Sequence, residues 1–179
     1  MSGRERAARI RMILMDVDGT LTDGCLFVLP DGEEVKAYHV RDGMGVLLAQ
    51  QAGIKTGIIT GKTAKSVERR AEKLRIGEVH QGILDKKKIL DEIAARHKLK
   101  LREIAYIGDD LGDLEVMKAV GLAGTVADAH PVIKENSHWV SRYGGGKGAV
   151  REFIEFILEA QGKWASIEDK LKSLFDYKR

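Results

Sequence analysis

The stretch MDVDGTLTDG, residues 15–24, places two aspartates two positions apart directly after an apolar run. One carboxylate would be enough to cap the turn that follows, so Asp16 and Asp18 invite a chemical explanation. A carboxylate can attack phosphorus to form an aspartyl-phosphate, and a second acid can protonate the leaving alkoxide and then activate water. A bare pair of this kind is more often an ordinary acidic turn after a strand. Its interpretation therefore depends on which other residues the chain brings beside it.

Three further segments carry residues suited to the same chemistry. Thr60–Gly61 ends the apolar run IKTGII, the acidic residues Asp109, Asp110 and Asp113 follow IAYIG, and Lys86 stands at the start of a helical pattern. Several carboxylates on turns suit Mg²⁺, which takes oxygen ligands and usually keeps waters that a phosphate can displace. The Thr60 hydroxyl and the Lys86 ammonium would neutralise charge during phosphoryl transfer. The set is complete for hydrolysis of a phosphoester.

Two of these residues have an ordinary alternative role. Asp110 is as well suited to capping a helix that begins near Leu111 as to a place in the site. Lys86 belongs to the run DKKKIL, which is typical of a solvated helix face, and only its offset in QGILDK distinguishes it from Lys87 and Lys88.

The elements that must position these residues alternate along the chain. Four apolar runs are typical of strands: IRMILMD, IKTGIITGK, IAYIGDD and the weaker GLAGTVAD. Helical patterns lie between them, with apolar residues three or four positions apart. We therefore predict an α/β, Rossmann-like parallel sheet with helices on both faces and the ligand site beyond the carboxyl ends of the strands. Residues 25–38, with Pro30-Asp31-Gly32 between two short β-like runs, predict a β-hairpin inserted after the first strand.

Length and composition restrict the class of protein. A chain of 179 residues with 44% hydrophobic residues predicts a single domain, 1–179, with a C-terminal helical tail at about 163–179. The 30 basic and 27 acidic residues nearly balance, so no general field argues for nucleic acid. The single cysteine, Cys25, excludes an intrachain disulfide and suits a reducing compartment, so we expect the cytoplasm. No apolar run has the 18 or more residues of a membrane-spanning helix, so we expect no membrane partner.

The segments DVDGTLTDG, IITGK, QGILDKKK and GDDLGD, in that order, resemble the four motifs of the haloacid dehalogenase superfamily of phosphohydrolases. The resemblance spans about residues 10–130. It implies that Asp16 is the nucleophile and a metal ligand and that Asp18 is the acid/base, whose backbone carbonyl also reaches Mg²⁺. It further implies that Thr60 holds the phosphoryl group, that Lys86 neutralises nucleophile and phosphate, and that Asp109 is a metal ligand. Gly61, Asp110 and Asp113 would support these residues.

The hairpin followed by YHVRDGMG, together with VADAHP and the closing GGGKGAVREFIEFILEAQGKW, is similar to the capless 3-deoxy-D-manno-octulosonate 8-phosphate phosphatase family. That family implies Mg²⁺-dependent hydrolysis of a small anionic sugar phosphate and no cap domain. It also implies a homotetramer in which the hairpins form an inner barrel and neighbouring subunits help to close each site. The implied substrate contacts are Asp18, His39, Val40, Arg41, Asp42, Gly43, Lys62, Arg70 and Lys86.

Two positions depart from the family pattern. Position 62 is Lys where many members carry Arg, and Leu47 stands where a basic residue is common. A phosphatase for a related nine-carbon 2-keto-3-deoxy sugar acid phosphate is therefore an alternative. A second alternative is a non-catalytic assembly module that retains the fold, against which the presence of Asp16, Asp18, Lys86 and Asp109 argues.

Overall fold

The computed structural model describes residues 1–167. Its strands are β1 (Met12–Met15), β2 (Phe27–Val28), β3 (Glu34–Val35), β4 (Lys55–Ile59), β5 (Glu78–His80), β6 (Ile104–Gly108), β7 (Leu122–Thr125) and β8 (Trp139–Val140). Its helices are α1 (Gly3–Ala7), α2 (Val40–Gln51), α3 (Lys65–Lys73), α4 (Lys86–Arg96), α5 (Leu114–Ala119), α6 (Pro131–Glu135) and α7 (Ala149–Ala160). Short 3₁₀ turns cover Leu101–Glu103 and Leu111–Asp113.

A six-stranded parallel sheet is built around β1. The strand order is β5-β4-β1-β6-β7-β8, and every neighbouring pair is parallel. All four residues of β1 are buried, and they alternate between two apolar clusters, Ile13 and Met15 in one, Met12 and Leu14 in the other. A strand covered on both faces explains the continuous apolar run in the sequence.

Helices cover both faces of this sheet, which confirms the predicted α/β architecture. Helices α2, α3 and α7 contribute side chains to the cluster that contains Ile13, whereas α4, α5 and α6 contribute to the cluster that contains Met12. The sequence reading did not predict the edge strands β5 and β8. Each has only two or three residues, with polar or exposed members, so neither forms an apolar run.

The predicted hairpin follows β1, although its paired strands are short. Phe27 lies opposite Val35 in the antiparallel pair β2–β3. The turn is held by Asp31, whose carboxylate accepts the Glu33 N–H at 3.0 Å, and by Gly32, whose φ of +84° is in the left-handed region that favours glycine. Among the described residues no cap domain is inserted before or after this hairpin.

Most of the predicted C-terminal tail, about 163–179, lies outside the described residues. Within residues 1–167, no helix has both the length and the hydropathy required to cross a membrane.

Candidate active site

All four catalytic residues predicted from the sequence line one cavity of about 290 Å³ at the carboxyl edge of the sheet. Parallel strands end on the same side, so the loops after β1, β4 and β6 meet there. The lining contains the predicted residues Asp16, Asp18, Thr60, Gly61, Lys62, Lys86, Asp109, Asp110 and Asp113. It also contains Ile83, Leu84 and Gly112, which the sequence reading did not select.

Lys86 joins two carboxylates at the base of this cavity. It is the first residue of α4, whose N-cap Asp85 accepts the Lys88 N–H at 3.0 Å. The Lys86 Nζ donates to Asp16 Oδ1 and to Asp113 Oδ1, both at 2.6 Å, and all three side chains are buried. Lys87 instead pairs with Asp91 in a partly exposed i,i+4 bridge. The fold thus distinguishes Lys86 from its neighbours by burial and not only by motif position.

The Asp113 carboxylate is fixed by four hydrogen-bond donors. Its carboxylate accepts from Lys86, from the Tyr106 hydroxyl at 2.6 Å, and from the backbone N–H groups of Asp109 and Asp110 at 3.0 and 3.3 Å. At Gly108 a Cβ atom would lie 2.4 Å from the Asp113 carboxyl carbon. The glycine that ends β6 is therefore needed so that Asp113 can approach the strand and orient Lys86.

The crowding of charges shifts the titration of the site. Burial, reinforced by the charge of Asp113, raises the pKa of Asp16 to about 8 although Lys86 opposes the shift. Burial and Asp113 also raise the pKa of Asp109 to about 6. Burial alone would lower the pKa of Lys86, but the adjacent Asp16 and Asp113 outweigh it and raise that pKa. Lys86 is therefore an ammonium at neutral pH. Its single positive charge does not neutralise the carboxylates clustered around it.

The donor set fits a hard divalent cation. Asp16, Asp109 and Asp113 each present a carboxylate oxygen within 4.8 Å of the others. Asp113 is already saturated by its four donors, whereas Asp16 accepts only from Lys86 and Asp109 only from the Thr20 hydroxyl at 3.0 Å among the described residues. Oxygen-only ligands with uncompensated negative charge are what Mg²⁺ requires. Asp16 and Asp109 thus fit the role of ligands for a divalent cation, whereas Asp113 fits the role of a residue that orients Lys86.

Asp18 is positioned by the loop after β1. Gly19 has a φ of +85°, and a Cβ there would lie 2.1 Å from an oxygen of Asp109, so the chain turns tightly beside the acidic pair. Val17 is fully buried between the two aspartates, as strand alternation requires. The Asp18 carboxylate contacts the Nζ of Lys36, a buried lysine that follows the hairpin strand β3.

The loop after β4 contributes polar groups on the other side of the cavity. The Thr60 N–H donates to the His80 carbonyl at 2.9 Å, and no donor or acceptor among the described residues engages the Thr60 hydroxyl. Lys62 lies 3.5 Å from Glu34 of the hairpin. Across the cavity, Asp110 accepts the Leu111 N–H at 2.8 Å, so it caps the 3₁₀ turn and also lines the site.

The predicted substrate loop 39–43 does not line this cavity within the described chain. Asp42 is buried and accepts the Gly148 and Arg151 N–H groups, at 3.3 and 2.8 Å, at the N-terminus of α7. Arg70 donates to the His39 carbonyl at 3.5 Å. A Cβ atom at Gly43 would lie only 2.3 Å from the Arg70 guanidinium. Val40 and Arg41 are exposed. Substrate contact by these residues stays a prediction.

Sequence reasoning missed three buried residues that hold the site. The signal for Tyr106 was available, because a tyrosine in a fully buried strand needs a partner for its hydroxyl. Thr20, whose hydroxyl donates to Asp109, lies within the first motif and reads as an ordinary turn residue. Lys36 carried no signal, because a lysine in a hairpin is normally exposed.

Residues 75–154 match the haloacid dehalogenase-like hydrolase family, in agreement with the sheet and the four-segment cavity. The 3-deoxy-D-manno-octulosonate 8-phosphate phosphatase KdsC of Yersinia pestis is 46% identical over 89% of this chain and 85% of its own. The KdsC of Escherichia coli K12 is 43% identical over 88% of this chain and 84% of its own.

A solved structure from the same family has a closely similar fold. The 3-deoxy-D-manno-octulosonate 8-phosphate phosphatase of Moraxella catarrhalis, crystallised with magnesium, phosphate and the sugar acid KDO, has a TM-score of 0.92 and 36% identity. The match covers 94% of this chain and 97% of that one. The chain belongs to the 3-deoxy-D-manno-octulosonate 8-phosphate phosphatase family, which confirms the resemblance drawn from its motifs.

Proposed function

We propose that this protein is a Mg²⁺-dependent phosphomonoesterase that hydrolyses 3-deoxy-D-manno-octulosonate 8-phosphate to the free sugar acid and phosphate, for lipopolysaccharide precursor synthesis. The observation that carries the proposal is the setting of Asp16. One oxygen is held by Lys86 at 2.6 Å, and the other has no donor among the described residues and belongs to a side chain that lines the cavity. That arrangement leaves an oriented carboxylate for attack on phosphorus.

Asp16, Asp109 and the backbone carbonyl of Asp18 would hold Mg²⁺, which when bound neutralises phosphoryl charge and polarises the group for attack. The magnesium ion and phosphate ion in the structure of the Moraxella relative support Mg²⁺ and phosphate as ligands of this protein. Lys86 and the Thr60 hydroxyl would contact the non-bridging oxygens of the phosphoryl group.

The two half-reactions use the two aspartates in different ways. In the first, an Asp16 oxygen forms a bond to phosphorus while the bond from phosphorus to the sugar oxygen breaks, and Asp18 gives that oxygen a proton. In the second, water attacks the phosphorus of the aspartyl-phosphate, Asp18 takes a proton from the water, and the Asp16 carboxylate is released. Lys86 neutralises Asp16 throughout, and Asp113 with Tyr106 keeps Lys86 in place.

We further propose a homotetramer in the cytoplasm, with the whole chain as one domain. The exposed apolar residues of the hairpin support the tetramer, because they form a patch that assembly would cover: Leu26, Phe27, Val28, Leu29 and Val35. His39, Val40, Arg41, Asp42, Gly43 and Arg70 would serve substrate binding from positions that neighbouring subunits complete. Lys62, which lines the described cavity, would reach the sugar acid directly.

A substrate panel tests the proposal. We expect Mg²⁺-dependent phosphate release from the eight-carbon 8-phosphate with a kcat/KM at least about tenfold above that for a nine-carbon 9-phosphate. Equal or greater kcat/KM on the nine-carbon compound would establish the alternative substrate, for which Lys62 is the supporting departure. Leu47 gives it no support, since this residue packs against the core. If tetramers form but no sugar phosphate is hydrolysed, the chain is an assembly module.

A further inference from the structure

Lys36 is a buried lysine whose position serves no obvious purpose in the hairpin. Its side chain is 1% exposed, although it directly follows β3, a strand at the protein surface. A lysine is almost never buried unless its ammonium is paired, because the loss of hydration must be offset by an opposite charge. The partner here is the Asp18 carboxylate, which the Lys36 Nζ contacts directly. A second carboxylate, that of Glu34, is 3.9 Å away.

The contact connects the hairpin to both sides of the cavity. Glu34 also lies 3.5 Å from the Nζ of Lys62, so alternating charges run from Asp18 through Lys36 and Glu34 to Lys62. Lys36 itself does not line the cavity, and its burial leaves no surface for a substrate. Of the two carboxylates that face Lys36, only that of Asp18 belongs to a side chain that lines the cavity, and it is 24% exposed. The direct effect of Lys36 on the reaction therefore acts through Asp18.

We propose that Lys36 is a positioning residue that holds the Asp18 carboxylate in the orientation from which it exchanges protons with the leaving oxygen and with the attacking water. The inference rests on the proposed function, because it takes Asp18 as the acid/base. Asp18 lies on a turn rather than in a strand, and among the described side chains only Lys36 bonds to its carboxylate. Without that contact the side chain can adopt other rotamers, and misplacement of a catalytic group slows proton transfer.

The first turnover of p-nitrophenyl phosphate separates this role from a general effect on folding. The nitrophenolate leaves without a proton, so formation of the aspartyl-phosphate does not need Asp18, whereas its hydrolysis does. In Lys36→Met the steady-state kcat should fall at least about tenfold while the first-turnover rate stays within about threefold of wild type. A nitrophenolate burst should appear, and acid-quenched protein should carry phosphate on most sites. Lys36→Arg should restore most of the steady-state rate.

A matched control is Lys118→Met, which removes an exposed lysine that is paired with Glu115 at 3.0 Å and does not line the cavity, so we expect no effect on either phase. Lys36→Gln replaces Lys36→Met if the latter does not fold, as judged by thermal unfolding. Equal slowing of both phases, a change in KM alone, or no change would each overturn the positioning role. If wild type hydrolyses p-nitrophenyl phosphate but not the sugar acid phosphate, the proposed substrate is wrong and the burst still decides the role of Lys36. If wild type hydrolyses neither, both proposals are overturned.

Discussion

The stability of the metal-free protein should fall as the pH rises through neutrality, because of Asp16. Burial and the charge of Asp113 raise the pKa of Asp16 from the usual 3.8 to about 8. Between these values the folded protein binds more protons than the unfolded chain, so the free energy of unfolding decreases with increasing pH. One such proton gives a slope of about 1.4 kcal/mol per pH unit. Asp109, with its pKa raised to about 6, adds to the decrease in the lower part of the range.

Urea unfolding in EDTA between about pH 5 and 7 measures this slope, and Asp16→Asn isolates it. Asparagine does not titrate, yet its side-chain oxygen can still accept the hydrogen bond from Lys86. The slope for wild type should therefore be steeper than that for Asp16→Asn by about 1.4 kcal/mol per pH unit. Other groups, such as His138, whose pKa is lowered by burial and by Arg6, contribute equally to both proteins and cancel.

Saturating Mg²⁺ should flatten the wild-type slope. The cation binds the deprotonated carboxylates and stabilises the folded state more at pH 7 than at pH 5, since fewer protons need to be displaced. Asp16→Asn should respond less to Mg²⁺ over the same range. Parallel slopes for the two proteins in EDTA would refute the reasoning, because they would show that Asp16 is not held protonated by its surroundings.

Three substitutions test the remaining assignments. Asp16→Asn should abolish phosphate release, and substantial residual activity would refute its role as nucleophile. Asp18→Asn should lower kcat by at least about a hundredfold with folding intact, since proton transfer by a side chain is worth that much; circular dichroism checks the fold. Gly108→Ala should lower both kcat and the melting temperature, because its methyl group would clash with the Asp113 carboxyl group, whose carbon would be only 2.4 Å away. Gly77→Ala is the matched control, since no atom within 4 Å would meet its methyl group, and an equal loss there would refute the steric argument.

The residues that were predictable from sequence are those that a parallel topology fixes. Asp16, Thr60 and Asp109 each follow a recognisable apolar strand, and parallel strands must end on one side, so their meeting at one edge follows from the pattern. The order of β1, β4 and β6 in the sheet was not needed for that conclusion. Edge strands were missed because pairing at a sheet edge requires only two or three residues and no apolar run.

The loop 39–43 shows where a resemblance and a pattern do not fix geometry. Asp42 has the same residue type as the cavity aspartates, but its carboxylate accepts the N–H groups that begin α7. These hydrogen bonds form because α2 packs against α7, although the two helices are separated by about a hundred residues in the chain. Periodicity within a window describes neither the packing partner nor the direction of the side chain.

The net negative charge of the cavity links the protonation of its carboxylates to the binding of Mg²⁺ and of substrate. Asp16, Asp109 and Asp113, when ionised beside the single ammonium of Lys86, leave a net charge of −2 in a largely buried space. Burial, reinforced by the charge of Asp113, raises the pKa of Asp16 and that of Asp109, so the metal-free protein reduces this negative charge by retaining protons. A divalent cation has the opposite charge and removes the need for those protons. A phosphate dianion would be repelled by the metal-free site, so the carboxylates that we propose as Mg²⁺ ligands would also make substrate binding conditional on the metal.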